Sequence, residues 1–156
     1  MYYQLIPFNI RVQLTMVIQE VLRLYPPVVF VAREVFDEDI AFTNITIPKG
    51  ALLQIPIPFL HQNPDLWGFD AHKFNPERFA DGVTKACKSP KAYMPFGAGS
   101  RICVGQHLAM MELKVFLSMI LSKFSFSLSP AYQHSPVYNI VIEPEHGIIL
   151  QMRRAP

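Results

Sequence analysis

Cysteine is scarce in this chain: there are two among 156 residues, Cys87 and Cys103. Without a signal peptide, a lone pair reads as free thiols in a reducing compartment and not as a disulfide framework. Neither belongs to a Cys-x-x-Cys pair and the five histidines, His61, His72, His107, His134 and His146, are scattered, so zinc lacks its usual ligand spacing. Long apolar runs are missing too. The first ten residues contain Pro7 and Asn9 and no basic start, fitting neither a secretory signal nor a membrane span, and later apolar stretches are too short. Charge of one sign is equally lacking: 14 Lys and Arg against 12 Asp and Glu give +2, too small and too dispersed for a nucleic-acid partner. No repeat, low-complexity tract or polar linker suggests a second domain. Asn44-Ile45-Thr46 fits the glycosylation pattern but, without secretion, reads as unmodified.

Apolar residues make up 51% and aromatics 12%, ample for one globular core. Over 11–24, Leu14, Val17, Ile18, Val21, Leu22 and Leu24 keep helical spacing until Pro26-Pro27 stops the helix. Short β-rich runs follow at 28–32, 40–47 and 51–57, the last after a Pro48-Lys49-Gly50 turn, and predict a small sheet. Residues 64–79 are dense in Pro, Gly, aromatic and charged residues without a period, the composition of a packed, irregular meander. A long helix is expected over 104–122 and a strand over 124–128. A hairpin is expected from 137–142 and 148–152 about a Pro144-Glu145-His146-Gly147 turn.

The narrowest chemistry lies in Phe96-Gly97-Ala98-Gly99-Ser100-Arg101-Ile102-Cys103-Val104-Gly105. Gly99 and Gly105 allow tight backbone shapes and close approach, and the helix that follows places Cys103 at an N-terminus, where free N–H groups favour a thiolate. Three readings compete for this cysteine. It could be a buried structural residue, which composition alone favours, or a hydrolase nucleophile with His107 as base, or the axial ligand of haem iron. No third member or oxyanion pattern supports the nucleophile. Glu20 and Arg23, three apart on one helical face, read by themselves as an ordinary surface ion pair.

The spacing Phe-x-x-Gly-x-Arg-x-Cys-x-Gly resembles the haem-binding signature of the cytochrome P450 family. Glu20-Val21-Leu22-Arg23 resembles its Glu-x-x-Arg helix, and Phe74-Asn75-Pro76-Glu77-Arg78-Phe79 its Pro-Glu-Arg-Phe segment, all in the expected order. The resemblance implies an α+β, mainly α fold: the C-terminal part of the P450 fold with small β-sheets, with 1–10 outside it and 11–156 as the haem-thiolate part of one domain. It implies haem b with Cys103 as axial ligand, Arg101 and Arg33 facing its propionates, and Phe96 shielding the sulfur, with Gly99 and Gly105 shaping the loop. Arg78 is implied to join Glu20 and Arg23 in a buried network, and Val28, Val29, Phe30, Val31 and Ala32 to face a hydrophobic substrate. No catalytic residue is implied within this stretch.

In activity, the resemblance implies a monooxygenase using O2 and electrons from NADPH-cytochrome P450 reductase; Lys85, Lys88 and Lys91, near the cysteine loop, read either as docking charge for that reductase or as merely solvated residues. It implies the cytosolic face of the endoplasmic reticulum membrane, with no anchor found in this chain. The wording of 86–90, 132–136 and 143–147 resembles plant members that oxidise gibberellin-type diterpenoids, with cytokinin- and brassinosteroid-oxidising relatives as near alternatives. The family's long distal helix with its acidic-Thr pair is not found, and without a distal wall controlled oxygen activation is expected to fail. The rival expectation is therefore a truncated, non-catalytic haem-binding or interaction remnant.

Overall fold

The computed structural model describes residues 8–154; residues 1–7 and 155–156, most of the segment set apart by sequence, lie outside it. Helix α1 spans Phe8–Leu24, so the helix expected from residue 11 begins earlier. It ends where expected: Tyr25 N–H still donates to the Val21 carbonyl at 2.7 Å, but Pro26 has no N–H to continue the ladder. Strand β1 (Phe30–Glu34) pairs antiparallel with β4 (Leu52–Pro56), Ala32 opposite Gln54. The run expected as one strand over 40–47 is instead a hairpin of β2 (Ile40–Phe42) and β3 (Ile45–Ile47), because the chain reverses at Thr43 with φ 54.

Three short helices carry the chain into the meander: α2 (Ile57–His61), α3 (Pro64–Trp67) and α4 (Val83–Ala86). Each proline at a helix start sits where a missing N–H does no harm, and Asn63 caps α3 by accepting the Asp65 N–H at 2.8 Å. Between α3 and α4, Pro76–Phe79 forms a 3-10 turn. The core sits here. Met16 of α1 packs with Trp67, Ala71, Phe79 and Ala86, with Leu66, Val83, Cys87 and Tyr93 around them. Trp67, Phe79 and Tyr93 meet with ring centroids 5.2–6.1 Å apart.

Helix α5 (Gln106–Leu121) follows the cysteine loop and contains no buried residue. The expected hairpin beyond it is corrected by the structure. β6 (Pro136–Asn139) pairs with β7 (Val141–Pro144), because Ile140 at φ 66 folds the run 137–142 back on itself. The 144–147 turn does form, with Gly147 N–H donating to the Pro144 carbonyl at 3.1 Å, but it leads away from β7. β8 (Leu150–Arg154) then pairs with β5 (Phe124–Leu128), Phe126 opposite Met152. Four two-stranded antiparallel ladders and the helices make an α+β architecture.

Candidate haem-thiolate site and its support

Glu20 and Arg23 are fully buried, which rules out the ordinary surface pair. Arg23 Nε donates to Glu20 Oε2 at 2.7 Å and Nη2 to Oε1 at 2.8 Å, a planar fork on a carboxylate. The remaining N–H groups reach backbone: Nη1 to the His61 and Ala71 carbonyls at 2.8 and 2.5 Å, Nη2 to the Lys73 carbonyl at 3.1 Å. All five guanidinium donors are satisfied, as burial of this charge demands. The guanidinium also lies 5.2 Å from the Trp67 ring centre. Glu20 Oε1 in turn accepts the Asn75 N–H at 2.8 Å, tying the Pro-Glu-Arg-Phe segment to α1.

Arg78 comes to this network more loosely than Arg23. It donates from Nη1 to the Trp67 carbonyl at 2.8 Å, and Nη2 bridges the Asp70 carbonyl at 3.2 Å and carboxylate at 3.0 Å. Partial burial opposes ionisation of Asp70, but hydrogen bonding to Arg78 and its charge outweigh it and hold the carboxyl below its ordinary range. Arg78 Nε stands 3.8 Å from Glu20 Oε1, an ion-pair distance. Among the described residues it is the one buried side-chain nitrogen or oxygen without a hydrogen bond.

His61, considered in the sequence only as a scattered zinc candidate, belongs to the same core. Nδ1 lies 3.1 Å from the Arg23 carbonyl oxygen, and Nε2 accepts the Met94 N–H at 2.9 Å. An acceptor at Nε2 fixes the tautomer: the proton sits on Nδ1 and is donated to Arg23. Burial pushes the imidazole pKa down to about 4, with the Arg23 charge in the same direction and the hydrogen bond to its carbonyl opposing. Tyr93 stacks on the imidazole with centroids 5.5 Å apart and donates its hydroxyl to the Gln19 carbonyl at 3.0 Å. Burial, then the Glu20 charge, raise its pKa. The signal in the sequence was position: a histidine closing the apolar run 51–60 just ahead of the meander.

The cysteine loop leaves this core through Met94. Gly97 N–H donates to the Met94 carbonyl at 3.0 Å, and Cys103 N–H to the Phe96 carbonyl at 2.8 Å, closing the loop on itself. Gly97 and Gly99 take φ of +76° and +73°, a conformation that side chains resist. Gly97, not singled out by sequence, is thus as constrained as Gly99. Gly105 differs: its φ is −87°, and a Cβ there would meet Cys103 Sγ at 3.9 Å, an ordinary contact beside the sulfur. Cys103 is exposed and free at the start of α5, whose first turn has no side-chain cap. Its exposure is at odds with the buried structural-cysteine reading. Free N–H groups at such a helix start favour negative charge nearby.

Arg101, at the end of the 3-10 turn Gly99–Arg101, is exposed. Arg33 directs Nη1 to the Ala32 carbonyl at 2.8 Å. Phe96 is half-buried and lines a cavity of about 260 Å³ with Gln19, Tyr93, Ile102, His107 and Met110. Of the five residues expected to face substrate, Val29 and Phe30 line an open cavity of about 500 Å³ with Gln54, Pro56, Pro58 and Phe59; Val28, Val31 and Ala32 do not. Lys85, Lys88 and Lys91 are exposed, Lys85 lying 3.4 Å from Asp81.

No cluster of three or more His, Cys, Asp or Glu able to hold a metal occurs among the described residues. One exposed thiol cannot complete a coordination sphere alone. It suits a metal that arrives with its other ligands, as iron does in a macrocycle, and in this respect the residues present fit haem. Such an arrangement is compatible with the haem-thiolate class, and comparison with known proteins supplies the family. The family model for cytochrome P450 matches residues 11–152. The chain is 52% identical over 138 residues to cytochrome P450 714A2 of Arabidopsis thaliana and 56% identical over 141 residues to cytochrome P450 714C2 of Oryza sativa subsp. japonica. These matches cover 88% and 90% of this chain but 26% and 27% of the relatives, so the chain spans about a quarter of their length. It is 47% identical over 133 residues to 11-oxo-beta-amyrin 30-oxidase of Glycyrrhiza uralensis, covering 85% of this chain and 25% of that protein. The solved structure of retinoic acid bound cyanobacterial CYP120A1 superposes with a TM-score of 0.82 at 36% identity, covering 92% of this chain and 32% of that one. The chain belongs to the cytochrome P450 family, a family of monooxygenases, and has part of the P450 fold.

Proposed function

We propose that this chain is the haem-thiolate portion of a plant-type P450 monooxygenase in which Cys103 would hold the haem iron through its sulfur. The observation that carries this reading is the exposed, free Cys103 at the start of α5, on a loop closed by its own N–H to the Phe96 carbonyl. Bound haem supplies the activation of O2 and the insertion of one oxygen atom into substrate. This chain's residues hold and orient it: Arg101 and Arg33 offer guanidinium groups to the propionates, and Gly99 and Gly105 keep the loop narrow. Phe96 shields the sulfur from water, and Val28, Val29, Phe30, Val31 and Ala32 present an apolar surface to substrate.

The substrate class is a hydrophobic small molecule, in keeping with the names of relatives that bind retinoic acid or oxidise 11-oxo-beta-amyrin. The loop wording at 86–90, 132–136 and 143–147 favours a gibberellin-type diterpenoid. Electrons come from NADPH-cytochrome P450 reductase, to which Lys85, Lys88 and Lys91 offer positive charge. The working site is the cytosolic face of the endoplasmic reticulum; no helix among the described residues is long and apolar enough to cross a membrane.

Loading the 156-residue chain with haem and recording the reduced carbon monoxide difference spectrum tests the ligand. The red-shifted Soret band of thiolate ligation is expected, and Cys103→Ser should abolish it. A band of imidazole-ligated haem, or no haem uptake, overturns the reading. Oxygenated product with reductase and NADPH separates a working monooxygenase from a haem-binding remnant.

A further inference from the structure

The core and the cysteine loop are joined through one side chain. His61 Nδ1–H is donated to the Arg23 carbonyl, His61 Nε2 accepts Met94 N–H, the Met94 carbonyl accepts Gly97 N–H, and the Phe96 carbonyl accepts Cys103 N–H. Short hydrogen bonds thus run from the end of α1 to the residue that bears the sulfur. The first two meet on an imidazole with no exposed surface. Only a neutral ring can make both, since one nitrogen donates and the other accepts.

We propose that His61 is a positioning residue for Cys103: as a neutral imidazole it latches Met94 to the end of α1, and its protonation releases the cysteine loop. Protonation makes Nε2 a donor facing another donor, the Met94 N–H, so the contact turns from attraction to repulsion. The groups facing the ring agree on the sign at which it rests. Arg23 on α1 is positively charged and disfavours a second cation; its partner Glu20 is engaged by that guanidinium. Tyr93 stacks at 5.5 Å as a neutral phenol, and Trp67 lies edge-on at 6.2 Å. The importance of the latch for haem rests on the reading of Cys103 as ligand; the latch itself does not.

The two nitrogens can be separated by substitution. His61→Gln reaches the Nε2 position and keeps an acceptor for Met94, whereas His61→Asn reaches only the Nδ1 position and leaves that N–H unpaired. In the full chain, the Met94 amide should exchange with deuterium roughly tenfold faster or more in His61→Asn than in His61→Gln. With haem bound, the Soret band of thiolate ligation should weaken in His61→Asn and return in His61→Gln.

The unmutated chain gives an independent measure. Trp67 is its one tryptophan, and a protonated imidazole 6.2 Å away quenches indole emission. As pH falls below the ordinary histidine value, Trp67 emission and Met94 protection, corrected for intrinsic exchange, should fall together while the Leu22 amide of α1 stays protected. Met94 exchange that is equal in both variants, or flat with pH while Trp67 titrates, overturns the proposal. So does loss of Met94 and Leu22 protection at one midpoint, which would make the imidazole a prop for the whole core. A working latch in a chain whose haem lacks thiolate ligation would sink the function proposed for Cys103 and leave the latch standing.

Discussion

The α1–meander region and the α5 region treat buried surface in opposite ways. In the first, Glu20, Arg23 and His61 have no exposed surface, Trp67 is 3% exposed, and nearly every buried polar atom finds a partner. In the second, α5 has no buried residue, and Leu108, Met111, Phe116 and Met119 stand open beside Val104, which is 100% exposed. The first region completes itself; the second offers an apolar surface that calls for cover. The exposed cysteine lies at the boundary, on a loop anchored in the first and leading into the second.

The largest effect that would test this contrast is Arg23→Ala, which strands the Glu20 carboxylate in the core. It should cost about 3–5 kcal/mol in chemical denaturation, enough to unfold a marginal chain. A cost below about 1 kcal/mol would mean that the network is ornamental. Acidification comes next. The folded pKa of His61, about 4, lies below the ordinary 6.5, so its contribution is fully present above pH 6.5 and is lost as pH falls through 4. Denaturation curves across that window should show a decline of about 3 kcal/mol, absent from His61→Gln. Arg78→Lys should cost less, about 1–2 kcal/mol, because it forfeits the fork to the Trp67 carbonyl and Asp70 while Arg23 still neutralises Glu20. Smallest of all, Phe116→Ser on α5 should move stability by no more than about 0.5 kcal/mol, against about 3–5 for Trp67→Ala. Equal costs at Phe116 and Trp67 would erase the distinction between the regions.

Much of this could be read from the chain, and the misses have physical reasons. Helix periodicity and the Pro26-Pro27 stop located the end of α1, whereas spacing alone gave Glu20 and Arg23 as a surface pair and only the family resemblance implied Arg78 beside them, where it stands 3.8 Å from Glu20. The strands at the C-terminus were found but mispaired, because alternation identifies a strand without naming its partner. Nothing in the letters marks Ile140 as the residue at φ 66 that splits one expected strand into part of a hairpin. His61 was overlooked because its partners, the Arg23 carbonyl and the Met94 amide, are backbone groups 38 and 33 residues away. Gly97 was passed over since a glycine's need for positive φ shows only once the loop is closed.

Arg23 holds the meander by the carbonyls of His61, Ala71 and Lys73, and carbonyls are common to every residue type. A substitution at position 73, which is exposed, leaves that grip untouched. Dropping or adding one residue between 61 and 73 would rotate an oxygen away from a guanidinium with no freedom to follow. This stretch is thus tolerant of spelling and strict about length, and ageing of the sequence by insertion or deletion should be felt there long before ageing by replacement.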